Sequence, residues 1–418
     1  MNKYEKYKDS GVQWLGDIPE HWEIIRFKRL FKEKKKTTDV SLNSGSISFG
    51  EVVYKDDEKI TEATKLSYQV LNEGEFLLNP LNMNYDLKSL RIGLSTINVV
   101  VSSGYIILQS KKGLNKNYYK WLLRMYDIVF MKTLGAGVRQ TINYNDLADS
   151  HLVVPSFDEQ QVIAEFLDDK TAKIDQAIAI KEKEIALLKE RRQILIQQAV
   201  TKGLDANVPM KDSGIDWIGE IPEHWEVIPN RYIFKQKKVL VGKKSAEYDL
   251  LSLTLKGVIK RDMENPEGKF PAEFDTYQEV KYGDFVFCLF DVEETPRTVG
   301  LSNFDGMITG AYTVMTVNNL FNKKYLYYYY LSLDEKKKLK YLYKGLRNTI
   351  PKDLFFSLKT IIPAEQEQIK IVSYLEAIEE KIAKAISIKE QEIEKLKEYK
   401  TVLIDQVVTG KVRVNKIN

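Results

Sequence analysis

The chain has 418 residues, with 63 lysines and arginines against 59 aspartates and glutamates and a formal net charge of +4. A hydrophobic fraction of 44% excludes compositional disorder and leaves room for two to four packed units. One cysteine, Cys288, and three histidines exclude a disulfide framework and a Cys/His metal cluster, while the near balance of charge announces no nucleic-acid partner by itself.

The first residues, "MNKYEKYKDS", carry no apolar targeting segment, and apolar stretches such as 97–101 are far too short to span a bilayer. The expectation is a soluble, cytoplasmic protein in a reducing compartment. A signature then begins, "KDSGVQWLGDIPEHWE" at residues 8–23, which returns as "KDSGIDWIGEIPEHWE" at 211–226. Residues 8–32 and 211–235 agree at 15 of 25 positions, far beyond chance, so the chain is an internal duplication. Trp14 and Trp217 are expected to anchor a strap against a helix end. His21 and His224 are expected to be structural, since no positioned partner for a catalytic histidine is apparent. Each signature runs into a basic cluster, "LFKEKKK" and "IFKQKKV". Lys34, Lys35, Lys237 and Lys238 are therefore candidates to neutralise DNA phosphates.

The middles of the two halves diverge, apart from "RIGLS" (91–95) against "RTVGLS" (297–302) and "GVRQTINYNDL" (137–147) against "GLRNTIPKDL" (345–354). "NPLN" (79–82) lacks the second proline and the aromatic residue of an amino-methyltransferase motif and reads as a loop. "LGAG" (134–137) lacks the third glycine of a dinucleotide fingerprint. Two segments are more informative. "KTLGAGVRQTIN" (132–143) follows the aromatic, basic stretch "NYYKWLLRMYDIVF", and "YKGLRNTIPK" (343–352) follows "KKYLYYYYLSL". Each offers glycine for close backbone approach, and arginine plus an amide, the side chains that can bond guanine and adenine edges bidentately. The DNA-contact candidates are Lys132, Arg139, Gln140 and Thr141 in the first half, and Lys344, Arg347, Asn348 and Thr349 in the second. The loop "KGVIKRDMENPEGK" (256–269) adds Lys256, Lys260 and Arg261, read as confined to the second half.

Each half closes on a long charged segment free of proline. Apolar residues recur at 4-3 spacing: Leu167, Ile174, Ile178, Ile185, Leu188 and Leu195 in one copy, and Leu375, Ile382, Ile386, Ile393, Leu396 and Leu403 in the other. This is a coiled-coil seam. Both seams are interrupted at equivalent places, by Lys181 and Lys389 and by Arg192 and Lys400. Matched interruptions suit mutual pairing, so the two helices are expected to pack antiparallel and hold two globular domains apart.

The two signatures and the two "P-x(3)-EQ" helix entries (Pro155 with Glu159 and Gln160; Pro363 with Glu367 and Gln368) resemble the specificity subunit of type I restriction–modification systems, over essentially the full chain. The resemblance implies an α+β protein with a pseudo-twofold internal repeat: two target-recognition domains separated by two long helices forming an antiparallel coiled coil. The expected layout is an N-terminal strap (1–20), target-recognition domain 1 (21–157) and a central helix (158–203). A second strap (204–223), target-recognition domain 2 (224–363), a distal helix (364–412) and a tail (413–418) follow. The resemblance further implies a non-catalytic chain that reads a bipartite, asymmetric site on double-stranded DNA. The helices would set the spacing and dock two modification subunits that methylate adenine N6. Restriction subunits would join that core. S-adenosylmethionine, ATP and Mg2+ are expected in those partners and none in this chain. The alternative is a coiled-coil DNA-binding scaffold or repressor that acts without partner enzymes. The second half has Pro229–Asn230 where the first has Arg26–Phe27, which puts the detailed equivalence of the two DNA-facing surfaces in question. The first strap is expected to lie near the end of the distal helix and close the chain on itself.

Overall fold

In the computed structural model the described residues are 2–82, 90–134, 140–262, 274–344 and 348–415. Four helices organise them: α1 (Lys116–Val129), α2 (Phe157–Lys202), α3 (Lys323–Glu335) and α4 (Glu365–Val408). The chain divides into two compact units. Residues 1–181 and 391–418 form the first, and residues 182–390 the second. Each unit therefore takes one sheet-bearing lobe together with part of α2 and part of α4.

The two lobes have the same topology. In the first unit a four-stranded antiparallel sheet runs in the order Ile92–Leu94, Phe76–Leu78, Ile106–Ser110, Phe31–Glu33. In the second unit Val299–Leu301, Phe285–Phe287, Thr313–Val317 and Phe234–Gln236 repeat that order. One face of each sheet is covered by the lobe helix, whose aromatic residues are core. Tyr118, Tyr119, Trp121 and Tyr126 of α1, and Tyr325, Tyr328, Tyr329 and Tyr330 of α3, are all buried. The aromatic runs that precede the candidate loops are thus spent on packing. The repeated arginines are internal as well. Arg91 Nε donates to Asp127 of α1 at 2.9 Å, and Arg297 Nη1 donates to Asp334 of α3 at 3.3 Å.

Pro229 and Arg26 turn out to be interchangeable. Each precedes a single helical turn with φ −62°, the value that a proline ring imposes. Phe27 and Asn230, next in line, are both fully buried. Phe27 stacks on Tyr126, whereas Asn230 accepts from Tyr330 Oη and donates to the Phe355 carbonyl. The substitution changes the packing partner and leaves the backbone path unaltered.

The seams are buried where the 4-3 spacing places them. In the first unit Leu167, Ile174, Ile393 and Leu403 are buried, with Ile178 and Leu396 partly so. In the second Ile185, Leu375 and Ile382 are buried, with Leu188, Leu195 and Ile386 partly so. Within each unit the two helix segments run antiparallel. Asp175 meets Lys400 and Lys181 meets Glu392 in the first; Glu184 meets Lys389 and Arg192 meets Glu379 in the second. The seam interruptions therefore find acidic partners on the facing segment.

The helix entries explain the P-x(3)-EQ motif. Gln160 donates to the Pro155 carbonyl at 2.8 Å and accepts from the Asn115 amide at 3.0 Å, which ties the start of α2 to the N-cap of α1. Gln368 does the same with Pro363 and Asn322. The adjacent glutamate holds the strap: Glu159 bonds His21 Nε2 at 2.9 Å and accepts from Trp22 Nε1, and Glu367 bonds His224 at 2.9 Å. Both histidines are accounted for structurally.

The strap does reach the distal helix. Asn2 pairs with Arg413, and Tyr7 Oη donates to the Lys411 carbonyl at 3.2 Å. Trp14 packs 5.7 Å from the Tyr126 ring in the last turn of α1, and Trp22 lies at the end of α4. Gly410 follows α4 with φ +77°, and a Cβ there would come within 2.4 Å of Pro19 and 2.9 Å of Trp22. Gly203 repeats this after α2, against Trp225. Glycine serves as a left-handed helix terminator at both places, and at Gly410 it also admits the strap.

Gly410→Ala should lower stability by about 2–4 kcal/mol, the sum of left-handed strain and overpacking. Gly214→Ala, at φ +66° with open space around it, should cost only about 1 kcal/mol. Urea denaturation of the two variants checks this; equal losses would contradict the packing role of Gly410.

Candidate nucleic-acid interface

The described residues flanking the two glycine–arginine segments sit at one place in both lobes, beside the chain leaving the second strand of the sheet order. In the first, Gln140–Thr141 pairs with Leu81–Asn82, and Ile142 donates to the Pro80 carbonyl. "NPLN" is thus the edge against which the loop is held. In the second lobe Thr349 bridges to Phe290 and to Lys344, and Ile350 donates to the Leu289 carbonyl. Thr141, Lys344, Asn348 and Thr349 are exposed, and Lys132 is half-buried. Asn348 adopts φ +45°, a left-handed conformation that asparagine tolerates better than most residues. Arg139 and Arg347 lie outside the described residues, as does the side chain of Gln140.

The lysine clusters divide cleanly. Lys34 Nζ lies 2.7 Å from Glu75, both side chains being nearly buried, and Glu75 also accepts from Gln109. Lys237 lies 2.9 Å from Asp284 and 3.0 Å from Glu279. Burial opposes its charge, yet hydrogen bonds to Asp284 and Glu279 hold its pKa above the ordinary lysine value. These two cations are consumed inside the lobes and are withdrawn as phosphate ligands. The neighbours Lys35 and Lys238 are exposed and keep the role. Alternation along an extended chain explains the split: adjacent side chains point to opposite faces.

Lys256 and Lys260 belong to a hairpin, Leu251–Thr254 with Gly257–Lys260. The first lobe has its counterpart in Gly45–Ser48 with Glu51–Tyr54, so this element is common to both halves and not confined to the second. Lys256 is exposed. Lys260 is paired with Asp249 at 2.5 Å, and Arg261 is half-buried. The hairpin tips carry exposed apolar side chains, Phe49 and Leu255, which no pattern of charge in the sequence marks. Among the described residues no group of His, Cys, Asp and Glu could hold a metal ion, and no helix is long and apolar enough to cross a membrane.

With this geometry established, relatives can be compared. Residues 19–190 match the family described as Type I restriction modification DNA specificity domain. The putative type I restriction enzyme MjaX specificity subunit of Methanocaldococcus jannaschii is 26% identical over 444 residues, covering 99% of this chain and 98% of that one. The type I restriction enzyme MjaVIII specificity subunit of the same organism is 24% identical over 452 residues, with the same coverage. The chain is thus similar to type I specificity subunits over its full length. A solved chain from work on complex assembly and conformational transition of the type I R-M system shares the fold, with TM-score 0.67 over 94% of this chain and 99% of that one, at 13% identity.

Lys35→Ala should reduce the slope of log affinity against log salt by about one, the contribution of a single phosphate contact, and leave thermal stability unchanged. Lys34→Ala should do the reverse, costing about 3 kcal/mol of stability by orphaning Glu75 with no change in salt slope. Binding titrations at several salt concentrations, with thermal melts, check both. The exchanged pattern would reject the division.

Proposed function

We propose that this chain is the DNA-reading subunit of a type I restriction–modification complex. Each lobe reads one part of a bipartite, asymmetric site. The observation that carries this is the duplication itself: two lobes of one topology, each packed on segments of both long helices, whose sequences differ around a shared glycine–arginine motif. A shared scaffold with divergent tips is what recognition of two different half-sites requires. Phosphate contacts by Lys35, Lys238 and Lys256 would set register. The loops bearing Gln140 and Thr141, and Asn348 and Thr349, with Arg139 and Arg347 between their described ends, would read base edges.

The helices are the second half of the proposal. In the first unit they expose Ile180, Tyr399 and Val402; in the second they expose Leu187, Ile194 and Ile388. Leu187 and Ile194 are seven residues apart, so they share one helix face. Such apolar helix surface suits a protein partner, and we assign it to modification subunits, one on each unit. In this reading adenine N6 methylation, with S-adenosylmethionine, belongs to those chains. ATP, Mg2+ and cleavage belong to restriction subunits.

Methylome sequencing of cells with and without the gene tests the proposal. It should reveal a bipartite adenine-methylation motif that vanishes with the gene. A continuous motif, or an unchanged methylome in cells that carry the cognate modification subunit, would contradict it.

A further inference from the structure

The second unit joins its lobe to its helices in two different ways. One is apolar. Ile196, Ala199 and Val200 of α2 and Ile371, Val372 and Leu375 of α4 share a core with Tyr325, Leu326 and Tyr329 of α3. Apolar contact holds surfaces together but is non-directional. The other is polar: Lys324 pairs with Glu376, Lys336 Nζ donates to Gln197 Oε1, and one turn earlier on α2 a single arginine bonds both α3 and α4. Arg192 Nη1 donates to Glu335 Oε1, the last residue of α3, at 3.1 Å. The same guanidinium donates through Nε, at 3.0 Å, and through Nη2 to Glu379 Oε1 of α4. Tyr328 Oη of α3 donates to the other Glu379 oxygen at 2.7 Å. A planar guanidinium held by carboxylates on two elements fixes an angle as well as a distance.

Next to this contact is a cavity of about 550 Å³. Leu255 and Arg297 wall it on the lobe side; Ile382, Ala383 and Ile386 wall it on the helix side. The hairpin tip thus overhangs the helices without packing on them. Arg297 links the tip to α3, donating to the Leu255 carbonyl at 3.4 Å and to Asp334 at 3.3 Å. The lobe has room to rock into the cavity, and Arg192 is the strut at its edge. Glu335 is buried, and its Oε2 has no hydrogen-bond partner. Burial pushes its carboxyl above the ordinary range against the pull of Arg192 and Arg297.

The first unit is built differently at the same positions. Lys400 stands where the second unit has Arg192, Thr171 stands for Glu379, and Ile128 stands for Glu335. Lys400 goes to Asp175 on the facing helix, and Thr171 is bonded to its own helix through the Leu167 carbonyl. The first unit ties its lobe helix to α2 at another place, Lys120 Nζ and Trp121 Nε1 donating to Asp168 at 2.7 and 2.9 Å; the guanidinium strut at the end of the lobe helix belongs to the second unit.

We propose that Arg192 is a positioning residue for half-site recognition: through Glu335 it sets the angle of the second lobe on its helices, and so the spacing at which that lobe meets its part of the DNA site. The proposal rests on the DNA-reading assignment above. Glu335→Leu removes the strut while leaving the Arg192–Glu379 pair inside the helix seam, and Arg192→Lys is the conservative companion. Each full-length variant is expressed with the cognate modification subunit, and the methylome is read. Glu335→Leu should keep one motif component intact. It should raise methylation at sites whose spacer is one base pair longer or shorter by about tenfold relative to the wild-type spacing, with Arg192→Lys intermediate. An unchanged motif and spacer in Glu335→Leu overturns the proposal. So does equal relaxation of both components, which marks general loosening. Failure of Glu335→Leu to fold while Arg192→Lys keeps the wild-type spacing also overturns it, because the contact is then merely structural. Absence of any bipartite motif with the wild-type chain would instead reject the DNA-reading assignment.

Discussion

Each long helix in this protein carries an apolar seam that must be covered, and the facing surface is supplied by the other copy of the same sequence. That constraint fixes direction as well as partner. Lys181 pairs with Glu392 and Lys389 with Glu184; a shift of 208 residues turns one pair into the other with the roles exchanged. Further from that point Asp175 takes Lys400 and Arg192 takes Glu379. A parallel register would set Arg192 beside Lys400, cation against cation. Polar residues in a seam cost stability but select register, and here every interrupting cation has a specific acid across the interface.

The lobes follow from the same constraint. α1 is tied to the start of α2 through Gln160 and to the end of α4 through Tyr118 Oη, which donates to the Val408 carbonyl at 3.0 Å. α3 is tied to the start of α4 through Gln368 and to the end of α2 through Tyr325 Oη and the Val200 carbonyl. Each lobe therefore needs the beginning of one long helix and the end of the other. The strap belongs to this junction: His21, Trp22 and Glu159 hold it at the helix start, while Gly410 lets it pass the helix end. Two halves with separate sequences thus complete one another's helix ends, and the recognition tips are free to diverge.

Much of this was legible in the sequence because it is periodic or repeated. The 4-3 spacing of Leu167 to Leu195 located the seam, the paired interruptions pointed to mutual pairing, and the two signatures announced two lobes. What escaped was whatever depends on which way a side chain points. Lys34 and Lys35 look alike in a string, but one closes an internal pair with Glu75 and the other meets solvent. The run of tyrosines in α3 shows no face in a string, yet the helix buries Tyr325, Tyr328, Tyr329 and Tyr330. The hairpin holding Lys256 seemed peculiar to one half, because its counterpart at residues 45–54 shares its pairing and none of its charge. The role of Gln160 as the link between α2 and the cap of α1 could have been suspected from the repeated Asn-Lys before each aromatic helix, at Asn115 and Asn322.

The account stands or falls on the direction in which the two helix copies meet. The direct measurement is intramolecular cross-linking in a chain with Cys288 replaced by serine. Cysteines are introduced for Asp175 and Lys400 in one version and for Arg192 and Glu379 in another, and each is treated with a short bifunctional thiol reagent. Efficient linkage within single chains in both versions is the expected result. A third version, with cysteines for Asp175 and Ala383, tests the parallel register; its linkage, with no linkage between 175 and 400, would contradict the account and remove the basis for everything built upon the pairing.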